Sequence, residues 1–179
     1  MTLSSDKQRE LLDRMADHML AHGLTASSLR PLAKAAGTSD RMLLYYFKDK
    51  AEVIAATLDR VVRRLETVLA AGGTGELLPL AQLQTKLFAR FSEADLAPYI
   101  RLWFDVASVA ARGDPGIKAI GERIGRGFLA WGASELDSTT PEVRAVEAAK
   151  LLVAIEGMLL LKSVGLDDVC TLALISAHD

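Results

Sequence analysis

From Ser28 to Lys50 the chain reads SLRPLAKAAGTSDRMLLYYFKDK, and so short a stretch, with a glycine near its middle, can hide its apolar residues only by doubling back. Ser28 stands where a hydroxyl can accept a bond from a free amide of a first helical turn, and Pro31 lies in that turn, where its missing N–H is no loss. Leu29, Leu32, Ala33 and Ala36 share one side at helical spacing, which predicts a short amphipathic helix. Gly37 is placed for the left-handed residue that would end it. Thr38 or Ser39 can cap the next helix, with Asp40 in a first turn where the dipole favours an acid. Two helices joined in this way make a helix-turn-helix.

Such a unit lays the N-terminal part of its second helix in the major groove of DNA while its flanks hold phosphates. The second helix is expected over Asp40 to Tyr46, with Met42, Leu43 and Phe47 turned to its own core and Arg41, Tyr45 and Tyr46 turned outward. Arg41 can bridge guanine O6 and N7, and Asp40 can accept from a cytosine amino group or orient the arginine. Asp49 and Glu52 then form a capping pair for a third helix, so Lys48 and Lys50 flank an N-terminus suited to a phosphate. From Thr25 to Lys50 there are five bases, Arg30, Lys34, Arg41, Lys48 and Lys50, against two acids, in a chain whose net charge is −2. A positive head on a mildly acidic chain is the asymmetry of a DNA-binding module.

The same residues resemble the N-terminal domain of the tetracycline-repressor-like (TetR/AcrR) transcriptional regulators. The family pattern S-L-R-x-L-A-x-x-A-G-V-S-x-x-x-L-Y-x-[HY]-F-x-x-K is met by Ser28, Leu29, Arg30, Leu32, Ala33, Ala36, Gly37, Ser39, Leu43, Tyr46, Phe47 and Lys50. It is departed from at Leu44, where the family usually has a phosphate-contacting tyrosine, and at Arg41, a position that is often glycine. The second departure suggests a different base readout. The resemblance implies an all-α protein of about nine helices, with a three-helix DNA-binding head joined to a larger helical body that binds a ligand and dimerises. It also implies a DNA-facing set of Ser28, Arg30, Ser39, Asp40, Arg41, Tyr45, Tyr46, Lys48 and Lys50.

With 179 residues the chain can hold a small head, residues 1–50, and a body, residues 51–179. Half of it is apolar, yet no run approaches the ~18 apolar residues of a membrane span, so a soluble protein with no membrane partner is expected. Met1 to Lys7 is polar and unlike a secretory signal, which points to the cytoplasm. Cys170 is the single cysteine, which excludes an internal disulfide and disfavours a cysteine metal site.

Ahead of the motif, Ser5 and Gln8 suggest a capping box, and Leu11, Leu12, Met15, Ala16, Met19 and Leu20 recur at helical spacing until Gly23. His18 and His22 are four apart on that helix, but the motif of a zinc hydrolase would need Glu where Met19 stands, and no metal site is expected. After Asp49 a long helix carries Val53, Ile54, Leu58, Val61, Val62, Leu65, Val68 and Leu69 as far as Gly72 and Gly73, long enough to serve both head and body. Further helices are expected over about Glu76 to Phe91 with Pro79 in the first turn, from an Asp95 cap to Gly113, from Asp114 and Pro115 to Glu135, from Thr140 and Pro141 to Val164, and from Asp167 or Asp168 to near Ala177.

Gly121, Gly125 and Gly132 lie inside the seventh helix, where each costs up to about 1 kcal/mol relative to alanine, so close packing of a neighbour or ligand is expected there. Leu151 to Leu161 is apolar on every side except at Glu156. A helix apolar all round must be covered all round, so one face should meet its own domain and the other a second subunit, with Gly157, Leu160 and Leu161 at the seam. The last helix, too short to stand alone, is a suitable partner in a four-helix dimer seam.

An enzyme would need converging polar groups, and the body supplies no histidine before His178, no Gly-rich phosphate loop and no paired carboxylates in a recognisable frame, so no catalytic residues and no cofactor are expected. What it does carry is an aromatic set, among them Phe88, Trp103, Phe104, Phe128 and Trp131, able to line an apolar pocket, with Glu156 able to meet a base, solvent or a cationic ligand. The expected function is a homodimeric regulator, a repressor released from a double-stranded DNA operator by a small-molecule effector. A DNA-binding regulator without an effector, and a helical enzyme that retains a regulator-like head, are the alternatives.

Overall fold

A computed structural model describes residues 5–71 and 75–175, with side chains for 7–70 and 75–174. Among these residues nine helices follow one another: α1 (Ser5–His22), α2 (Leu29–Ala35), α3 (Asp40–Tyr46), α4 (Lys50–Ala71), α5 (Leu80–Phe91), α6 (Ala97–Ala111), α7 (Pro115–Glu135), α8 (Pro141–Ser163) and α9 (Asp167–Ile175). The protein is all-α with an N-terminal helix-turn-helix, as expected. The side chain of Ser5, the Gly72–Gly73 stop and the chain near Ala177 and His178 lie outside the described residues. Packing divides the chain into two compact units, Met1–Gly72 with Pro98–Gly121, and Gly73–Ala97 with Glu122–Asp179. Packing therefore places α4 wholly with α1 to α3, and adds α6 and the first turns of α7 to them.

In the first unit α1 and α4 are the frame. Met15, Ala16 and Met19 of α1, Leu32 and Ala33 of α2, Leu43 of α3, and Val53, Leu58 and Val61 of α4 are buried together with the loop residues Leu24 and Phe47. Each such side chain contributes about 1.5–3 kcal/mol of burial when fully enclosed, with the smaller alanines below that. The two buried polar residues are satisfied by their own helical turns: Thr57 Oγ1 donates to the Val53 carbonyl at 2.7 Å and Ser27 Oγ to that of Gly23 at 2.7 Å.

A charged clamp crosses from α1 to α4. Asp13 Oδ1 accepts from Arg60 Nε at 2.7 Å and from Arg64 Nη2 at 2.6 Å, Asp13 Oδ2 accepts from Arg60 Nη2 at 3.0 Å, and Arg64 Nη1 donates to Asp17 Oδ1 at 2.6 Å. The hydrogen bond from Arg60, helped by that from Arg64 and opposed by desolvation, holds the Asp13 carboxyl below its ordinary range. Asp13 and Asp17 are one turn apart on one helix, and Arg60 and Arg64 one turn apart on the other, so the two pairs meet face to face.

In the second unit α5, the C-terminal part of α7, α8 and α9 enclose Leu83, Leu87, Phe91, Ile124, Leu136, Leu151, Ile155, Met158 and Leu159. Helix α5 begins at Leu80, later than the expected Glu76, because Leu78 is already engaged: its N–H donates to the Glu135 carbonyl and its carbonyl accepts from Asp137, each at 2.9 Å. Pro79, expected in the first turn, takes the N-cap position instead. Nor does Asp95 head α6 as a cap, since its carboxylate forms a two-pronged pair with Arg90 at 2.9 and 2.8 Å. The caps of α7 and α8 follow expectation: Asp114 Oδ1 accepts from Ile117 N at 2.9 Å and Thr140 Oγ1 from Val143 N at 3.3 Å.

The glycines of α7 differ among themselves. A β-carbon on Gly132 would meet Leu151 Cδ2 at 3.1 Å, so α8 does lie close there, and one on Gly121 would touch Val106 at 3.5 Å. Gly125 has open space around it, and close packing by its own chain does not explain that glycine.

The clamp carries a prediction. Asp13→Asn should lower stability at neutral pH by about 1.5–3 kcal/mol, the range for hydrogen bonds to charged groups. Because the folded-state pKa is depressed, that advantage is complete above the unfolded value and is lost as pH falls through the folded one, so the gap between native protein and variant should close below about pH 4. Chemical unfolding of both proteins across this range checks it; a gap that does not change with pH would show that the charge of Asp13 is not what matters.

Candidate nucleic-acid interface

Gly37 makes the turn. Its φ of +71° is the left-handed conformation that glycine adopts without strain, and it lets the chain leave α2 and start α3 within three residues. At the head of α3, Ser39 rather than Thr38 is the cap, with its Oγ accepting from Met42 N at 3.2 Å. Asp40 sits in the first turn, half-buried. Ser28 holds the N-cap position of α2 in an extended conformation, but its side chain makes no capping bond, contrary to expectation; its hydroxyl is left exposed on the surface.

Only Leu43 and Phe47, four apart and therefore on one ridge, anchor α3 to the core. Met42, expected to point inward, is 40% exposed because it lies about 100° around the helix from Leu43. The outer face of α3 thus presents Arg41, Met42, Leu44 at 45% exposure and Tyr45 at 64%. The Tyr45 and Tyr46 rings meet edge to face with centroids 5.2 Å apart, which restricts the direction of Tyr45 while leaving it exposed.

Past α3 the capping pair forms as expected, with Glu52 N donating to Asp49 Oδ1 at 2.9 Å and Lys48 N donating to the Glu52 carboxylate. Lys48 and Lys50 are both exposed beside this cap, and so are Arg30 and Lys34 on α2. One amide of the first turn of α4 and one just ahead of the helix are therefore committed to carboxylates, so the positive character of this corner comes chiefly from the two lysines. The whole set expected to face DNA belongs to one compact unit.

The six residues singled out for a ligand are not all in one unit. Trp103 and Phe104 belong to the first, Phe88, Phe128, Trp131 and Glu156 to the second, and each is half-buried. Phe88 already carries a cation, since Lys162 Nζ stands 5.6 Å from its ring centroid. On α8, Gly157 and Leu160 are exposed and Leu161 half-buried, while Leu151, Ile155, Met158 and Leu159 face inward. The rings of His18 and His22 on α1 meet at a tilt of 45° with centroids 4.5 Å apart, and among the described residues no group of three or more side chains that could hold a metal exists.

Two features escaped the sequence reading. One is the Asp13–Asp17 to Arg60–Arg64 clamp, whose signal was present as matched spacings of four on two neighbouring helices. The other is Asp105 of α6, whose Oδ2 accepts from Leu24 N at 3.0 Å across 81 residues of chain. No local pattern announces a contact of that kind.

Comparison with known proteins bears on this head most directly. Residues 11–57 match the family described as bacterial regulatory proteins of the tetR family, so the head is similar to the helix-turn-helix of that family. Two relatives share the description HTH-type transcriptional regulator BetI. That of Cronobacter sakazakii is 31% identical over 80 residues, 45% of this chain and 38% of that protein. That of Burkholderia thailandensis is 26% identical over 151 residues, 83% of this chain and 77% of that protein. The fold resembles that of a proposed TetR-family transcriptional regulator from Rhodococcus sp., with a TM-score of 0.72 at 16% identity over 97% of each chain. It also resembles that of a proposed transcriptional regulator from Saccharomonospora viridis solved in complex with choline, with a TM-score of 0.65 at 16% identity over 98% of each chain. Among the described residues no helix is long and apolar enough to cross a membrane.

Proposed function

We propose that this protein is a homodimeric transcriptional repressor that reads a double-stranded operator through α3 and lets go of it when a small molecule binds the helical body. The DNA-binding work falls to residues 1–50 and the ligand-binding and dimerising work to residues 51–179. The observation that carries the reading is the outer face of α3, where Arg41, Met42, Leu44 and Tyr45 stand exposed on a helix anchored by Leu43 and Phe47 alone. Apolar side chains next to an arginine at the start of such a helix suit thymine methyls and a guanine edge. Lys48, Lys50 and Arg30 flank them for phosphates. Arg41→Ala should cost about 1–3 kcal/mol on the selected operator and relax one base position, whereas Lys50→Ala should weaken all sequences alike and lower the salt slope by about 1. Titrations on matched and mismatched duplexes at several salt concentrations separate the two; identical behaviour of both variants would end the assignment of base reading to Arg41.

Support for the dimer comes from α8. Val143, Val146, Lys150, Val153, Gly157, Leu160 and Val164 are all exposed and follow one another at alternating spacings of three and four residues. That is the repeat of a seam between two helices packed at a small angle. Val153 is 72% exposed and Leu160 56%, whereas an inner stripe of the same helix is buried. An apolar seam of this regularity fits a second copy of itself across a two-fold axis, and Gly157, with open space around it, permits close approach. Light scattering should give twice the chain mass, and Leu160→Glu should give a monomer with little operator affinity. A native monomer that binds the operator at full strength would overturn the dimer.

The effector reading rests on the half-buried aromatic set, and it is supported by a protein of similar fold solved in complex with the small molecule choline. Weakening operator binding fiftyfold requires a coupling of only about 2.3 kcal/mol. Trp103 and Trp131 are the only two tryptophans, so their fluorescence should report a binding compound. By linkage an effector must bind more weakly to the operator-bound protein. Compounds that all bind equally well with and without operator would remove the effector from the proposal.

A further inference from the structure

Helix α1 ends in a turn that α6 completes. Gly23 N donates to the Met19 carbonyl at 2.9 Å, and Gly23 itself adopts φ +81°, which swings the next amide, Leu24 N–H, out of the helix. In a helix that closes on itself this amide would return to a carbonyl of the last turn. Here it donates instead to Asp105 Oδ2 at 3.0 Å, and Leu24, the residue that carries it, is buried. The approach is close: a β-carbon at position 23 would lie 2.5 Å from that same oxygen. The turn is stiffened from within by Ser27, buried and bonded to the Gly23 carbonyl, and α2 begins at Leu29, directly after it.

We infer that Asp105 is a positioning residue for DNA binding: its carboxylate pegs the α1–α2 turn to α6 and so fixes where the helix-turn-helix is held. This inference rests on the reading of the protein as a dimeric operator-binding regulator, and it deepens it. The physical reason is directional. Apolar packing tolerates sliding, but one carboxylate acceptor on one part-buried amide sets a position and is costly to leave unmade. The α1–α2 turn leads straight into the recognition motif, whereas α6 is followed within three residues by α7, whose chain continues into the unit that contains the seam. A peg between that turn and α6 therefore bears on the separation of two heads in a dimer. That separation is what selects the spacing of operator half-sites.

The test uses the full-length protein and duplexes it has itself selected in vitro, offered with the native half-site spacing and with one base pair added or removed. Asp105→Ala should weaken binding to the native spacing about fivefold to tenfold. It should also shrink the preference for native over altered spacing from at least about tenfold to about threefold or less, with the salt slope unchanged. Asp105→Asn, which keeps a carbonyl oxygen for Leu24 N–H, should retain the preference. A residue that merely stabilised the fold would weaken all spacings alike, and that result would overturn the inference. Amide exchange at Leu24 supplies a reading independent of DNA: it should accelerate at least tenfold in Asp105→Ala relative to the amides of α1, and unchanged exchange would likewise overturn it. Retained spacing preference in Asp105→Ala leaves operator binding standing and removes only the peg. A native protein that selects no duplex removes the operator-binding reading itself, and this inference with it.

Discussion

Helices of seven residues do not hold themselves together in water, and α2 and α3 have seven residues each. The exposed face of α3 therefore exists only because Leu32, Ala33, Leu43 and Phe47 are buried in the core that the longer α1 and α4 frame. Those two helices are in turn fixed to one another by apolar contact and by the pairing of two aspartates with two arginines. Apolar burial supplies the larger energy, since it involves many side chains, but it has little preference for register. The guanidinium–carboxylate geometry has such a preference, because two planar groups satisfy each other only in a narrow range of positions. The head is thus stabilised mostly by its core and aligned mostly by its charges.

Much of this was legible in the sequence because it is local. Caps at Ser39, Asp49, Asp114 and Thr140, the left-handed Gly37 and the inward Leu43 and Phe47 all depend on residues within about one turn of each other, and each forms as its spacing suggests. Where the reading failed, a distant partner had intervened. Asp95 was available to α6 until Arg90 took it, and the expected first turn of α5 was undone by the exchange of backbone bonds between Leu78 and the end of α7. Met42 is a different case: its apolar character suggested the core, but the core side of so short a helix has room for a single ridge. At the interface, residue types identified the surface while the orientation of Tyr45 depended on its neighbour's ring.

Helix α8 shows how two periodicities are written into one segment. Its inner residues, Ala148, Leu151, Ile155, Met158 and Leu159, satisfy the unit in which it lies, and its outer residues keep a repeat of seven that the chain itself does not use. An average over the helix hides both, since apolar residues then surround it almost evenly. The distinction becomes visible only when burial is assigned residue by residue. Glu156, half-buried, is the single acidic interruption between Leu151 and Leu161.

The membership of the first compact unit has a consequence for modularity. A recombination event, natural or engineered, that exchanged recognition heads at the sequence boundary after the motif would separate α1 from Arg60 and Arg64 and would strand the Leu24 amide without Asp105. What travels as a self-consistent cassette is a discontinuous one, comprising α1 through α4 together with α6 and the first turns of α7. Under the proposed reading, specificity is consequently easier to vary by substitution on the outer face of α3 than by transplanting the head, because Arg41, Met42 and Leu44 stand outside the buried core of the unit.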